Sequence, residues 1–290
     1  MVFKRIGLVA KINHTQISAT LSTLIHFLES HALEIIIEQH SVSLLKKVAW
    51  PVLPLAQLGP ACDLVIVIGG DGTLLNAARA LVKAQVPVIG INRGRKGFLT
   101  DISPQVLKQE LTPILAGNFL VEQRFLLAAE LIRDEQPIQS GSALNDVVLY
   151  AGNLAKMIEF EVYINHTFVY RLRSDGLITA TPTGSTAYAL SGGGPILHPS
   201  LEAMVLVPMH PNTLSSRSIV VDSQANIELR LTSDNVLSPK ISCDGQIYMD
   251  MQVDDRLMIR RHPQRLKLLH PKSYDYYHTL RSKLGWSNFN

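Results

Sequence analysis

An aspartate set among glycines, Gly69-Gly70-Asp71-Gly72-Thr73, is the stretch of this 290-residue chain whose residue types ask most directly for chemistry. Glycines let a ligand approach the backbone closely and expose N–H groups, which together with a helix N-terminus attract phosphate. A carboxylate beside phosphates is repelled unless it meets a metal ion, a proton or a ribose hydroxyl. Asp71 therefore points to chemistry at a hydroxyl next to a phosphate-rich ligand. The competing reading is a tight turn whose Asp71 caps the following helix. Two familiar nucleotide signatures fail: Leu75 stands where a G-x-G-x-x-G fingerprint needs its last glycine, and no Gly-Lys dipeptide builds a P-loop.

A second constellation runs from Asp175-Gly176 through Thr181-Pro182-Thr183-Gly184-Ser185-Thr186-Ala187-Tyr188 to Ser191-Gly192-Gly193-Gly194. Thr183, Ser185 and Thr186 could line a polar ligand, Tyr188 offers a face for stacking, and Asp175 can accept from sugar hydroxyls. A solvent loop is the alternative, although a flexible linker would be blander in composition. Asn145-Asp146 supplies an amide and a carboxylate able to bond hydroxyls or a base edge, or else a turn before a strand. Asp244-Gly245-Gln246 reads first as a hairpin turn. The histidines show no metal-ligand spacing, so no structural metal is expected.

The elements that must position these residues fall into two kinds. Up to about residue 120, short apolar runs alternate with helical patterns at 18–30, after Thr73, and from Ser103, whose Pro104 suits a first helical turn and whose pattern stops at Gly117. The run 63–68, apolar on both faces, reads as a central parallel strand, and Val86 to Ile91 as the next. Beyond about Arg124 the period becomes two. Phe160, Val162 and Ile164 lead through Asn165-His166 to a hairpin partner, and further strands are expected at 126–132, 146–150, 177–181, 227–231, 257–260 and 266–269. The expected fold is α/β plus all-β: a Rossmann-like parallel-sheet domain over 1–122 and an antiparallel β-sandwich over 123–271.

Hydrophobic residues make up 47% and charged residues 18% of the chain, a composition that folds. The net charge of +3, without a run of like charge, disfavours nucleic acid and membrane surfaces as partners. The N-terminal apolar run is too short for a signal peptide, and no stretch approaches the ~18 apolar residues of a membrane span. Cys62 and Cys243 read as reduced thiols of a cytoplasmic protein.

At Gly69 to Thr73, Gly90-Ile91-Asn92 with Gly97-Phe98-Leu99-Thr100-Asp101, Asn145-Asp146, Ser174-Asp175-Gly176, Thr181 to Tyr188, Gly193-Gly194-Pro195 and Cys243-Asp244-Gly245, the sequence resembles the NAD kinase family in order along most of its length. The glycine-aspartate motif alone is shared with diacylglycerol and sphingosine kinases. A lipid kinase would need a membrane-binding surface, and a non-catalytic NADP(H) sensor would not need Asp71. The resemblance implies phosphorylation of the adenosine 2′-hydroxyl of NAD by ATP, with Mg²⁺ as the divalent metal accompanying ATP. It implies that Asp71 is the base or orienting group, and that Gly69, Gly70 and Gly72 lie at the nucleotide. Asn145 and Asp146 would hold a ribose or base, and Arg173 and Asp175 the nicotinamide side. Thr183, Thr186, Ala187, Tyr188, Ala189, Leu190 and Ser191 would line the dinucleotide site, with Gln246, Phe98 and Lys156 nearby. NAD is implied to sit between the two domains, the tail 272–290 to return to the first, and the protein to be a homodimer or homotetramer.

Overall fold

The computed structural model describes residues 2–12, 15–92, 97–152, 157–232 and 239–286. The chain forms two compact units, Met1–Gln123 with Leu266–Asn290, and Arg124–Arg265.

The first unit alternates strand and helix: β1 (Arg5–Ala10), α1 (Thr15–Glu29), β2 (Glu34–Glu38), β3 (Val52–Leu53), α2 (Leu55–Ala61), β4 (Leu64–Ile68), α3 (Asp71–Leu81), β5 (Val88–Ile91) and α4 (Leu107–Leu115). Its strands pair in parallel in the order β3-β2-β1-β4-β5. Chain order reverses between β1 and β4, and open α/β sheets bind ligands outside the carboxyl ends of their strands at such a reversal. The Gly69 to Thr73 loop leaves β4 at that end. All five residues of β4 are buried, as its two-sided apolar pattern requires. Leu21 and Leu24 of α1 and Leu107, Leu111 and Ile114 of α4 pack with Leu8, Ile37, Ile66 and Ile89 of the sheet. The helix expected from Ser103 starts differently. Val106 N–H bonds the Ser103 carbonyl, so the first turn is a 3₁₀ turn, Ser103 makes no side-chain cap, and α-helical geometry begins at Leu107.

The second unit contains β6 (Leu120–Arg133), β7 (Gln136–Ala143), β8 (Asp146–Tyr150), β9 (Ile158–Ile164), β10 (Thr167–Ser174), β11 (Gly176–Ala180), α5 (Tyr188–Ser191), β12 (Ala203–Met209), β13 (Ile219–Asp222), β14 (Ile227–Leu231), β15 (Lys240–Cys243), β16 (Ile247–Asp250) and β17 (Arg256–His270). Both β6 and β17 carry the chain between units, and α6 (Tyr276–Leu284) belongs to the first. One antiparallel sheet runs β13-β12-β11-β8-β15-β16. The other runs β10-β9-β14-β17, with β6 on β17 and β7 on β6. Their inner faces, Phe160, Val162, Leu229 and Leu257 with Val147, Leu149, Leu177 and Leu206, form one core, so this unit is a β-sandwich. The fold class is therefore the expected one.

Two strands expected at 257–260 and 266–269 are a single strand, β17. The polar stretch between them does not break it because Arg261 and Arg265 both pair with Glu202, and Gln264 N–H bonds His262 Nδ1. Asn165 and His166 turn β9 into β10 with positive φ of 49° and 66°, the conformation a tight hairpin demands.

Candidate functional site

Gly70 is the N-cap of α3 and Asp71 its first residue. The Asp71 side chain does not cap its own helix. Its Oδ2 accepts from Phe98 N–H at 2.9 Å, and its Oδ1 accepts from Leu99 N–H at 3.2 Å and the Thr100 hydroxyl at 3.3 Å. The carboxylate thus joins the loop after β4 to the turn after β5. A Cβ on Gly97 would run into Asp71 Oδ1, so the approach requires glycine there. A carboxylate offers about four acceptor positions, and the three donors among the described residues leave room for one more.

In the second unit three segments meet at the start of β8. Asp244, in the β15–β16 turn, accepts backbone N–H bonds from Leu144 at 3.0 Å, Asn145 at 2.8 Å and Asp146 at 3.2 Å. The hairpin-turn reading of Asp244-Gly245 holds, since both have positive φ, and the turn's carboxylate also hooks another strand. The Thr181 hydroxyl donates to the Leu144 carbonyl and accepts from Gly184 N–H, and Thr181 N–H bonds the Asn145 carbonyl. Ser185 is buried and bonded to Pro182 O and Leu197 N–H. These two hydroxyls hold the loop's shape rather than facing a ligand.

A cavity of about 430 Å³ opens beside this corner, lined by Asn145, Asp146, Val148, Tyr150, Ala187, Tyr188, Met209, Ser242, Asp244, Gly245 and Tyr248. Along β8, Asp146, Val148 and Tyr150 point to one face by strand alternation, and register sets Ser242 beside Val148 and opposite Tyr248. The inward face of the same strands, Val147 and Leu149, belongs to the sandwich core. Asp146 is 5% exposed, and burial, assisted by the Asp244 charge, pushes its carboxyl up to about 7. Tyr188 is 46% exposed at the rim, and burial followed by the charges of Asp146 and Asp175 raises its phenol above the ordinary value.

The family model of the ATP-NAD kinase N-terminal domain matches residues 6–119, and that of the ATP-NAD kinase C-terminal domain matches residues 144–270. The chain belongs to the NAD kinase family. It is 50% identical over 286 residues to the NAD kinases of Teredinibacter turnerae and Chromohalobacter salexigens, in each case across 99% of this chain and 98% of the relative. Among solved structures it resembles the yeast NADH kinase complexed with NADH, with TM-score 0.89 and 23% identity, covering 100% of this chain and 89% of that one. It also resembles the Archaeoglobus fulgidus NAD kinase in complex with ATP, with TM-score 0.76 and 25% identity, covering 97% and 98%. NAD kinase activity is the activity of this chain: phosphoryl transfer from ATP to the 2′-hydroxyl of the NAD adenosine.

Of the residues that resemblance to NAD kinases marks out, Asn145, Asp146, Ala187 and Tyr188 share the cavity. Asp71 and Phe98 meet in the first unit. Thr183 is buried and accepts from Arg124, while Thr186 donates to the Thr183 carbonyl. Ala189 is fully buried in the small core under α5, beside Ile178 and Val205. Leu190 is partly buried, and Ser191, Arg173 and Gln246 are exposed; none of the four lines the cavity. Asp175 Oδ2 lies 3.0 Å from His210 Nδ1. Lys156 lies outside the described residues. Tyr150, Met209, Ser242 and Tyr248 are cavity residues that motif reading does not mark, and the period-two offset from Asp146 was the signal for Tyr150.

Proposed function

We propose that Asp71 receives or orients the 2′-hydroxyl proton of NAD while the γ-phosphate of MgATP is transferred to that oxygen. The observation that carries this is the Asp71 carboxylate, held at the carboxyl end of β4 by three donors among the described residues. Phosphoryl transfer depends mainly on positioning and charge neutralisation, and a fixed acceptor meets the first need. Mg²⁺ enters with the nucleotide and offsets phosphate charge that Asp71 would otherwise repel. Among the described residues no group of three or more His, Cys, Asp or Glu is placed to hold a metal ion. ATP as donor is supported by the Archaeoglobus relative, solved in complex with ATP.

In this reading residues 1–122 with the tail 272–290 serve the phosphates through Gly69, Gly70 and Gly72, and residues 123–271 bind the dinucleotide. The cavity volume is in the range of small-molecule sites. Asn145 and Asp146 hold a ribose or base there, Tyr188 stacks, Ala187 lines the wall, and Thr183, Thr186, Ala189, Leu190 and Ser191 support the loop that carries them. Arg173, Asp175, Phe98, Lys156 and Gln246 serve at the margins. A cytoplasmic location agrees with two buried free thiols, Cys62 and Cys243. Among the described residues no helix is long and apolar enough to cross a membrane.

The test is NADP formation from NAD, ATP and Mg²⁺, read with an NADP-specific dehydrogenase, for wild type and Asp71→Asn. The variant keeps an oxygen for Leu99 and Thr100 but turns an amide toward Phe98 N–H, costing about 1–3 kcal/mol of stability. Its kcat is expected to fall by ~10² or more. Near-normal turnover in the folded variant would overturn the assignment.

A further inference from the structure

The residues that grip Asp71 are followed directly by Asp101, whose carboxylate is turned into the first unit rather than to solvent. Among the described residues no donor reaches Asp101 Oδ1. Its Oδ2 lies 3.0 Å from Nδ1 of His270, the last residue of β17, which is 1% exposed. The other ring nitrogen, Nε2, lies 3.2 Å from Oε2 of Glu122 in β6, an ion-pair distance off the hydrogen-bond direction. Tyr274 stacks on the ring at 4.0 Å and 15°. Because both nitrogens face carboxylate oxygens, a neutral imidazole would turn a lone pair toward one of them, so the arrangement selects the imidazolium.

We infer that His270 is a positioning residue for Asp71: as an imidazolium it holds Asp101, and through Asp101 the turn whose backbone carries the Asp71 carboxylate. The inference rests on the reading of Asp71 as the group that meets the substrate hydroxyl. Among the described residues the charges acting on His270 are those of Asp101 and Glu122; the Tyr274 ring adds only its face. Burial opposes a charge on the ring, but the two carboxylates outweigh it and raise its pKa above the usual imidazole value. When the proton leaves at alkaline pH, Asp101 is a mostly buried carboxylate facing a neutral ring, and it gains by moving toward water. Thr100, Leu99 and Phe98 are its chain neighbours, so Asp71 loses its alignment.

The experiment is steady-state kinetics from mildly acid to alkaline pH for wild type, His270→Gln, Asp101→Asn and the double variant, each checked for folding by circular dichroism. His270→Gln is expected to lower kcat about tenfold or more with the KM for NAD within about twofold, since misplacement harms the reacting step rather than dinucleotide binding. The alkaline fall of wild-type kcat should be missing from His270→Gln. The double variant, with neither buried charge, should recover most of kcat. A folded His270→Gln with wild-type kcat and pH profile overturns the proposal. Should His270→Gln not fold, the isosteric Asp101→Asn decides: with no carboxylate to be left beside a neutral ring its alkaline limb must be missing, and a wild-type limb overturns the proposal. An active Asp71→Asn would remove the Asp71 reading whatever His270 does. An inactive Asp71→Asn beside an unaffected His270→Gln would remove the His270 proposal alone.

Discussion

Three aspartates in this chain meet two different fates. Asp71 and Asp244 each accept three hydrogen bonds from neighbouring segments, and each thereby fixes a turn. Asp146 is buried in the cavity wall beside Asp244, and its pKa rises from 3.8 to about 7, chiefly through burial. The sign of its effect on stability follows. Below the lower value Asp146 is protonated in folded and unfolded chains alike and costs nothing. Between 3.8 and about 7 the unfolded chain releases the proton and the native state keeps it, so stability falls as pH rises, by a few kcal/mol on the order-of-magnitude scale. Asp146→Asn keeps the shape and cannot ionise. Urea midpoints measured across that window should therefore show wild type losing ground to the variant as pH rises; parallel curves would remove the burial argument. In the cavity, protonated Asp146 can donate a hydrogen bond and ionised Asp146 only accept.

Elements matter here through their ends. The loop after β4 closes on the turn after β5, and the loop after β11 closes on the start of β8. Gly184 belongs to the second closure, where an added Cβ would strike the Asn145 carbonyl and neighbouring backbone atoms. No side chain can rotate away to relieve that clash, so Gly184→Ala is expected to cost about 1–3 kcal/mol and to raise the KM for NAD by deforming the cavity wall. Thermal denaturation with parallel kinetics checks it, and an unchanged Tm would mean that the two backbone segments part easily. Sequence reading reached the strands that carry a clear pattern, such as β4 and β9, because burial on two faces or one writes itself into residue type. It did not reach β7, whose Gln136 to Ser140 are exposed and which is held by pairing with β6. Nor did it reach β12, a short run buried at Met204 to Pro208 that lacks alternation.

At the scale of the molecule, the chain combines an α/β unit with a β-sandwich, each with its own core. Resemblance to its family leads to the expectation of a homodimer or homotetramer. Sedimentation velocity should then give a species at a multiple of the 32.0 kDa chain, and a monomer at assay concentrations would overturn it. The family, the two fold classes and Asp71 as the residue to mutate were all legible in the sequence, because they rest on local strings and periodicities that neighbouring residues share. Partner choice was not. The donors to Asp71 come from 27 to 29 residues away, the N–H groups that Asp244 receives from 98 to 100 away, and the carboxylate that His270 holds from 169 away. A hydrogen bond between such distant segments leaves no period in the sequence. It exists only where folding returns the two stretches to one place, and there the reduced dielectric makes each partly buried carboxylate depend on the donor it meets.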